Sequence, residues 1–137
     1  MKYLSIDLGE TRIGIAISDD TGTIAAPHSI LLRKSDQEAI SHIKTLCNSL
    51  NIDQLVLGIP LSARESTQKR FRNFGEKLSK ETDIKVNEWD ETFSTKQAQN
   101  VVAFSDGIPG KKKTKTHRDD VAAAVILQEY LDHEKNL

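Results

Sequence analysis

The first 32 residues combine apolar strand patterns with tight turns, and they constrain the fold more than any other part of the chain. Residues 2–8 form an apolar run that ends at a glycine, and in residues 12–19 three isoleucines alternate with small or polar residues. This alternation is typical of a strand with one face in the core. A turn at residues 20–22 precedes a third run, residues 23–32. The pattern predicts a three-stranded antiparallel meander.

The hydrophobic period then changes from that of a strand to that of a helix. Ser35 and Glu38 form a capping box, and apolar residues recur at helical spacing as far as Leu50. The later patterns predict, in order, a doubly covered strand over 54–59, a helix over 66–81, a strand over 84–89, a short helix over about 94–104 and a helix over about 118–133. Alternating strands and helices of this kind favour an α/β fold, in which helices pack on a mixed sheet.

Composition and length exclude several classes of protein. The 137 residues favour one domain, 1–137, with its own core. The net charge of −1 excludes a generally basic coat, so a site for polyanions must come from local clustering. Cys47 is the only cysteine, which excludes an internal disulfide and a cysteine zinc site. Because no signal peptide, transit peptide or membrane-length apolar run is found, the sequence predicts a cytoplasmic protein with no membrane partner.

Acidic residues occupy three separate elements of the predicted fold. Asp7 lies in an apolar strand, Glu91 follows the last strand, and Asp119 and Asp120 begin the final helix. A carboxylate in an apolar strand is costly to bury unless it is paired or binds a cation. Acidic groups on three elements are what a divalent-metal site for phosphodiester hydrolysis requires. Turn and helix capping is the competing interpretation for each residue, and local pattern does not separate Asp119 from Asp120.

Basic residues are concentrated immediately before the final helix. They could neutralise the phosphates of a nucleic acid, although a lysine run is more often a solvated loop. Arg12, at the start of the second predicted strand, is a further candidate for nucleic-acid binding. The full set of candidate nucleic-acid-binding residues is Arg12, Lys111, Lys112, Lys113, Lys115 and Arg118.

Four segments, taken together and in order, resemble one known family. They are Asp7–Asp19, Gly58–Leu61, Asp90–Thr95 and Asp119–Leu131. The chain resembles, over essentially its whole length, the YqgF/RuvX family of bacterial RNase H-like proteins. Members of that family are named as Holliday junction resolvases and assigned as pre-16S rRNA nucleases.

The resemblance implies an RNase H-like α/β fold with flanking helices. Its five-stranded mixed sheet would have the order 3-2-1-4-5, with the second strand antiparallel to the others. It also implies that Asp7, Glu91 and Asp119 are the catalytic residues and the metal ligands, with Mg²⁺ or Mn²⁺ as the cofactor. Asp119 rather than Asp120 matches the family's spacing to Ala122 and Ile126.

The function implied by the resemblance is that of a metal-dependent endonuclease in ribosome biogenesis. Its partner would be pre-rRNA, free or on the ribosome, cut at the 5′ end of pre-16S rRNA by a monomer or weak homodimer. One alternative is a resolvase acting on branched DNA. Another is a non-catalytic RNA-binding assembly factor, which is favoured by Thr92, since the family usually has arginine at that position. The loop Ser62–Ser66 is also shorter than is usual in the family.

Overall fold

The structure, a computed structural model, describes residues 1–91 and 119–135 of the chain. Its strands are β1 (Tyr3–Leu8), β2 (Arg12–Ser18), β3 (Ala25–Leu32), β4 (Gln54–Ile59) and β5 (Val86–Asp90). Its helices are α1 (Asp36–Leu50), α2 (Glu65–Thr82) and α3 (Asp119–Lys135). The short helix predicted over about 94–104 lies outside the described residues.

The strands form one mixed sheet in the order β3-β2-β1-β4-β5. Strand β2 pairs antiparallel with both β1 and β3, which confirms the predicted meander. The pairs β1–β4 and β4–β5 are parallel. This order, with β2 as the reversed strand, is the one that the family resemblance implies, so the predicted fold class is confirmed.

Strand β3 begins two residues later than predicted. The side chain of Asp19 holds the preceding segment in a turn, because its Oδ1 accepts hydrogen bonds from the N–H groups of Thr23 (2.8 Å) and Ile24 (3.0 Å). These bonds fold residues 19–24 into a turn, and strand pairing with β2 starts at Ala25. The apolar pattern of the sequence does not reveal this side-chain interaction, so the start of β3 was predicted too early.

Strand β5 also begins later than predicted, at Val86 rather than residue 84. Helix α2 ends at Asp83, which has a left-handed φ of 58°. The next residue, Ile84, is held in the turn: its N–H donates to Thr82 Oγ1 at 3.2 Å, and its carbonyl accepts from Ser79 Oγ at 3.1 Å. The chain is therefore extended enough to join the sheet only after this turn.

Each face of the sheet supports a separate apolar cluster. The larger cluster lies under α1 and α2 and includes Ile6, Ile15 and Phe74. The smaller one lies under α3 and includes Val56 and Ile126. Of the helices that the structure describes, none is long and apolar enough to cross a membrane.

Helix α3 approaches the sheet closely at its N-terminal end. Ser5 Oγ on β1 donates a hydrogen bond of 2.7 Å to the carbonyl of Ala123, and both residues are buried. At Gly14 on β2, an added Cβ would lie only 1.9 Å from the carbonyl oxygen of Asp119. Only glycine therefore allows this contact, and the first turn of α3 lies directly on β2.

Candidate active site

Asp7 lies near the C-terminal end of β1, on the sheet face that α3 covers. Its Cα partner in β2 is Gly14, the residue on which α3 begins. Side chains of directly opposite residues in an antiparallel pair point to the same face. The fold thus places the Asp7 carboxylate beside the N-terminus of α3, at the edge of the sheet where β1 and β4 end.

Glu91 reaches the same place from β5. It is the first residue after that strand, and its N–H donates to the carbonyl of Ile59 at 3.0 Å. Gly58 leaves space for its side chain, since an added Cβ there would lie 3.2 Å from Glu91 Oε2. The Glu91 side chain is hydrogen-bonded to Asp7. Two of the three predicted catalytic carboxylates are therefore in direct contact.

Asp119, the third predicted ligand, is the first residue of α3. Its Oδ2 lies 3.5 Å from Nε of Arg12, so this carboxylate forms an ion pair at the margin of the site. The neighbouring Asp120 is 8% exposed, and its Oδ1 accepts a hydrogen bond of 3.0 Å from the N–H of Val121. The choice of Asp119 over Asp120 stays a prediction.

The protonation of Glu91 follows from its surroundings. Burial raises the pKa of Glu91 to about 8, and the hydrogen bond with Asp7, the charge of Asp7 and the charge of Asp90 act in the same direction. At neutral pH and without a bound cation, Glu91 therefore keeps a proton. Ionising Glu91 beside Asp7 is therefore costly unless a cation binds at the site.

The donor set suits a hard divalent cation, because every candidate ligand is a carboxylate oxygen. Asp7 and Glu91 form a pair whose two carboxyl groups would both ionise at neutral pH only beside a bound cation. Within residues 1–91 and 119–135, no three histidine, cysteine or acidic side chains are already gathered as a metal-binding group. The structure brings Asp7 and Glu91 together, whereas Asp119 faces Arg12.

The raised pKa of Glu91 predicts a specific pH dependence of stability. In the metal-free protein, the free energy of unfolding should fall as pH rises from about 4.5 towards 8, because Glu91 ionises in the unfolded chain before it does so in the folded one. Glu91→Gln should remove this decline and exceed the parent's stability at pH 9 by more than about 1 kcal/mol. Urea unfolding in EDTA from pH 4 to 9 measures the effect.

Glu76, exposed on α2, provides a matched control for that measurement. Glu76→Gln makes the same chemical change away from the site and should keep the parent's pH profile. Parallel curves for the parent and Glu91→Gln would show that Glu91 is already ionised at neutral pH.

Gly14 and Gly58 are positioning residues that sequence reasoning missed. Neither bears a functional group, but an added Cβ would collide with the Asp119 backbone at one and with Ile126 Cδ1, at 2.9 Å, at the other. A glycine inside a strand pattern is a signal of close approach, which could have indicated both.

Of the predicted nucleic-acid-binding residues, only Arg12 belongs to the described part of the chain. Its half-exposed guanidinium group is held beside the site by Asp119. The other predicted residues lie outside the described residues: Lys111, Lys112, Lys113, Lys115 and Arg118.

Two solved structures have the same fold as this chain. The first is RuvC of T. thermophilus in complex with a Holliday junction substrate, with a TM-score of 0.65 and 14% identity, covering 99% of this chain and 96% of that one. The second is the Fowlpox virus resolvase in complex with Holliday junction DNA, with a TM-score of 0.61 and 18% identity, covering 98% and 99% of the two chains. At such low identity these similarities show the fold, which is RNase H-like.

Closer relatives are found by sequence. A protein of Syntrophomonas wolfei, named provisionally as a pre-16S rRNA nuclease, is 38% identical over 135 residues, covering 96% of this chain and 94% of the relative. A protein of Halothermothrix orenii with the same name is 35% identical over 140 residues, covering 100% and 99%. The model of the RuvX family, described as Holliday junction resolvase, matches residues 1–133. The resemblance noted from the sequence is thereby confirmed, and the chain belongs to the RuvX family.

Proposed function

We propose that this protein is a metal-dependent endonuclease that processes the 5′ end of pre-16S rRNA in the cytoplasm during ribosome biogenesis. Membership of the RuvX family makes it a hydrolase of phosphodiester bonds. The names of its relatives support the choice of substrate. The observation that carries the proposal is the contact between Asp7 and Glu91, in which burial and like charge raise the pKa of Glu91.

In the proposed mechanism, Asp7, Glu91 and Asp119 would hold Mg²⁺ or Mn²⁺. An ion held there would lower the pKa of an attacking water and offset the charge on the leaving oxygen. Because Glu91 would have to lose its proton to hold the ion, binding of the ion should become easier as pH rises. Asp7, fixed within β1, provides the rigid side of the site, whereas Glu91 follows the end of β5.

Arg12 is proposed to bind a phosphate next to the bond that is cut. Its ion pair with Asp119, at 3.5 Å, holds the guanidinium group beside the carboxylates. Guanidinium groups suit phosphate oxygens because they can donate two parallel hydrogen bonds. Such contacts position the strand without reading its sequence.

Cleavage assays with two substrates test the function directly. A 5′-extended 16S rRNA precursor and a four-way DNA junction would each be incubated with the purified protein in Mg²⁺, Mn²⁺ or EDTA. The proposal expects cleavage of the RNA with metal and none in EDTA. If neither substrate is cut in any metal, the nuclease proposal fails, and binding of the uncut RNA would then favour the non-catalytic assembly factor.

Resolution of branched DNA is the second candidate function. It is favoured by the family's description and by the similarity to two resolvase structures bound to junctions. Symmetrical cutting of a junction needs two active sites, so this function requires a dimer. Paired cuts across the junction by a dimeric species, with intact precursor RNA, would favour it over rRNA processing.

The lysine cluster, outside the described residues, is proposed to bind substrate phosphates. Changing Lys111, Lys112 and Lys113 together to alanine should weaken RNA binding and reduce the slope of log K against log salt by up to about 2–3. Fluorescence anisotropy at several salt concentrations measures both quantities. Circular dichroism and Tm should barely change.

A second triple variant controls for the lost charge. Lys44, Lys77 and Lys80 are exposed on α1 and α2, and their replacement by alanine removes the same number of charges. This variant should keep nearly all of the parent's affinity. Equal salt slopes for the parent and the cluster variant would mean that the cluster is only a solvated loop.

A further inference from the structure

A cleft of about 320 Å³ opens beside Glu91, at the carboxyl edge of the sheet. Its walls come from the end of β1 and the turn that follows, from the loop between β4 and α2, and from the first turns of α2. The wall residues that matter are Leu8, Pro60, Ala63, Thr67, Arg70 and Phe71. We propose that this cleft receives one unpaired nucleobase of the strand that is cut, an inference that rests on the proposed nuclease function.

The size and lining of the cleft suit a nucleobase. Its volume is at the lower end of the range, about 300–1,000 Å³, found for small-ligand pockets, so it fits one ring system rather than a folded segment. Leu8, Pro60, Ala63 and Phe71 make its walls largely apolar. Every base has an apolar face that can pack on an aromatic ring, and such contacts do not depend on sequence.

Phe71 is placed to provide the aromatic wall. It lies one helical turn before Phe74, on the same side of α2, but the two rings are buried to different extents. Phe74 is fully buried in the main core, whereas Phe71 is only partly buried and packs against that core from the side of the cleft. A partly exposed aromatic ring in the wall of the cleft is available for stacking by a base.

The two arginines that line the cleft have different roles. Arg33 is held in place, because its Nη1 donates to the carbonyl of Gly9 at 2.8 Å and its Nη2 lies 2.9 Å from Asp36 Oδ1. Its guanidinium carbon also lies 5.8 Å from the centre of the Phe74 ring. Arg33 therefore fixes the turn that forms one wall, and its charge is already balanced by Asp36.

Arg70, by contrast, is exposed at the rim. Within residues 1–91 and 119–135 it forms no ion pair and no side-chain hydrogen bond, whereas Arg72, two positions later, is paired with Glu88. A cation at the rim of an apolar cleft suits a nucleotide, whose base would enter while its phosphate stays outside. Arg70 is thus the expected partner of that phosphate.

The position of the cleft determines which base it would take. Glu91 lines the cleft and also contacts Asp7, so whatever enters lies next to the proposed point of cleavage. A base inside a duplex is stacked and paired, and taking it out costs a few kcal/mol. The protein should therefore prefer a strand with an unpaired nucleotide beside the scissile phosphate, such as a single-stranded extension or a branch point.

Filling the cleft is the direct test. Thr67 is half-buried and lines it, so Thr67→Phe should occupy the space, and Ser66→Phe, at the exposed neighbouring position outside the cleft, is the matched control. The substrates are single-stranded RNAs with either a normal or an abasic residue at each position around the cut. The parent and Ser66→Phe should cleave the best-placed normal substrate at least about fivefold faster than its abasic counterpart. Thr67→Phe should cut both at the abasic rate.

A binding measurement without cleavage keeps this test separate from that of the proposed function. In EDTA, RNA carrying 2-aminopurine at the preferred position should change its fluorescence on binding the parent and Ser66→Phe, but not on binding Thr67→Phe. If no substrate is cut in any metal, the nuclease proposal fails, and this fluorescence change alone decides whether the cleft binds a base. Equal cleavage of normal and abasic substrates by the parent, or an unchanged signal with Thr67→Phe, would overturn the inference.

A variant at the rim of the cleft, Arg70→Ala, tests the inference even if Thr67→Phe does not fold. Arg70→Ala removes only an exposed side chain, so the fold should persist. It should weaken RNA binding about threefold to tenfold and lower the salt slope by about 1, whereas Lys77→Ala, two turns further along α2, should change neither. Equal affinities and salt slopes for Arg70→Ala and the parent would show that Arg70 at the rim does not bind a phosphate.

Discussion

Asp7→Asn should abolish metal-dependent cleavage while the fold stays intact. The residue lies within a buried strand and hydrogen-bonds to Glu91 at the centre of the proposed site. Losing one ligand of a catalytic cation removes several kcal/mol of transition-state stabilisation, which corresponds to a rate about a thousandfold lower or more. Cleavage rates in Mn²⁺ and Mg²⁺ measure this loss.

The same substitution should not lower the stability of the metal-free protein. It removes the charge of Asp7 from a pair in which Glu91 is protonated, and with it the cost of keeping that charge partly buried, so the Tm in EDTA should equal or exceed that of the parent. Asp132→Asn, at an exposed position of α3, is the control and should leave both rate and Tm unchanged. Full activity in a pure Asp7→Asn sample would rule out the proposed site.

Asp119→Asn should have a comparably large effect on the rate, of several orders of magnitude. Its ion pair with Arg12 joins partly exposed groups at 3.5 Å, so losing that pair should cost little stability. Asp120→Asn should leave the rate nearly unchanged, because an amide oxygen can still accept the hydrogen bond from the Val121 N–H. Its effect should be mainly on helix stability, by about 1 kcal/mol or less.

Parallel measurement of cleavage rate and Tm for the two variants decides between the positions. The two variants make the same chemical change at neighbouring positions, so each is the control for the other. If Asp120→Asn is inactive and Asp119→Asn retains activity, the metal ligand is Asp120, and the spacing to Ala122 was matched one position too early.

The individual strands were predictable because their sequence patterns are local, whereas their order in the sheet was implied by the family resemblance. Alternating isoleucines in β2 and the continuous apolar run of β4 each fix one element, and the directions of the strands then follow from short turns or helical crossovers. Element ends were less accurate, since they depend on single side chains such as Asp19, which delays β3 by accepting hydrogen bonds from two backbone N–H groups.

The site was predictable only in part. The sequence pattern indicated Asp7, Glu91 and one of Asp119 or Asp120, and the family spacing favoured Asp119. The pairing of Asp119 with Arg12 was not predictable, because it depends on how α3 packs on β2. The cleft lined by Phe71 was also missed, since an aromatic residue at helical spacing indicates a core position whether or not its side chain is partly exposed.

The hydrogen bond between Ser5 and Ala123 joins positions 118 residues apart, and this has a consequence for biosynthesis. On the ribosome the N-terminal strands emerge first, and the helix that covers them emerges only after the residues between the two. Until then, Ala16 and Val56 lack their covering layer, and Asp119 is not beside β2. A nascent or truncated chain that lacks α3 should therefore be inactive, because part of the proposed site and of its supporting core is missing.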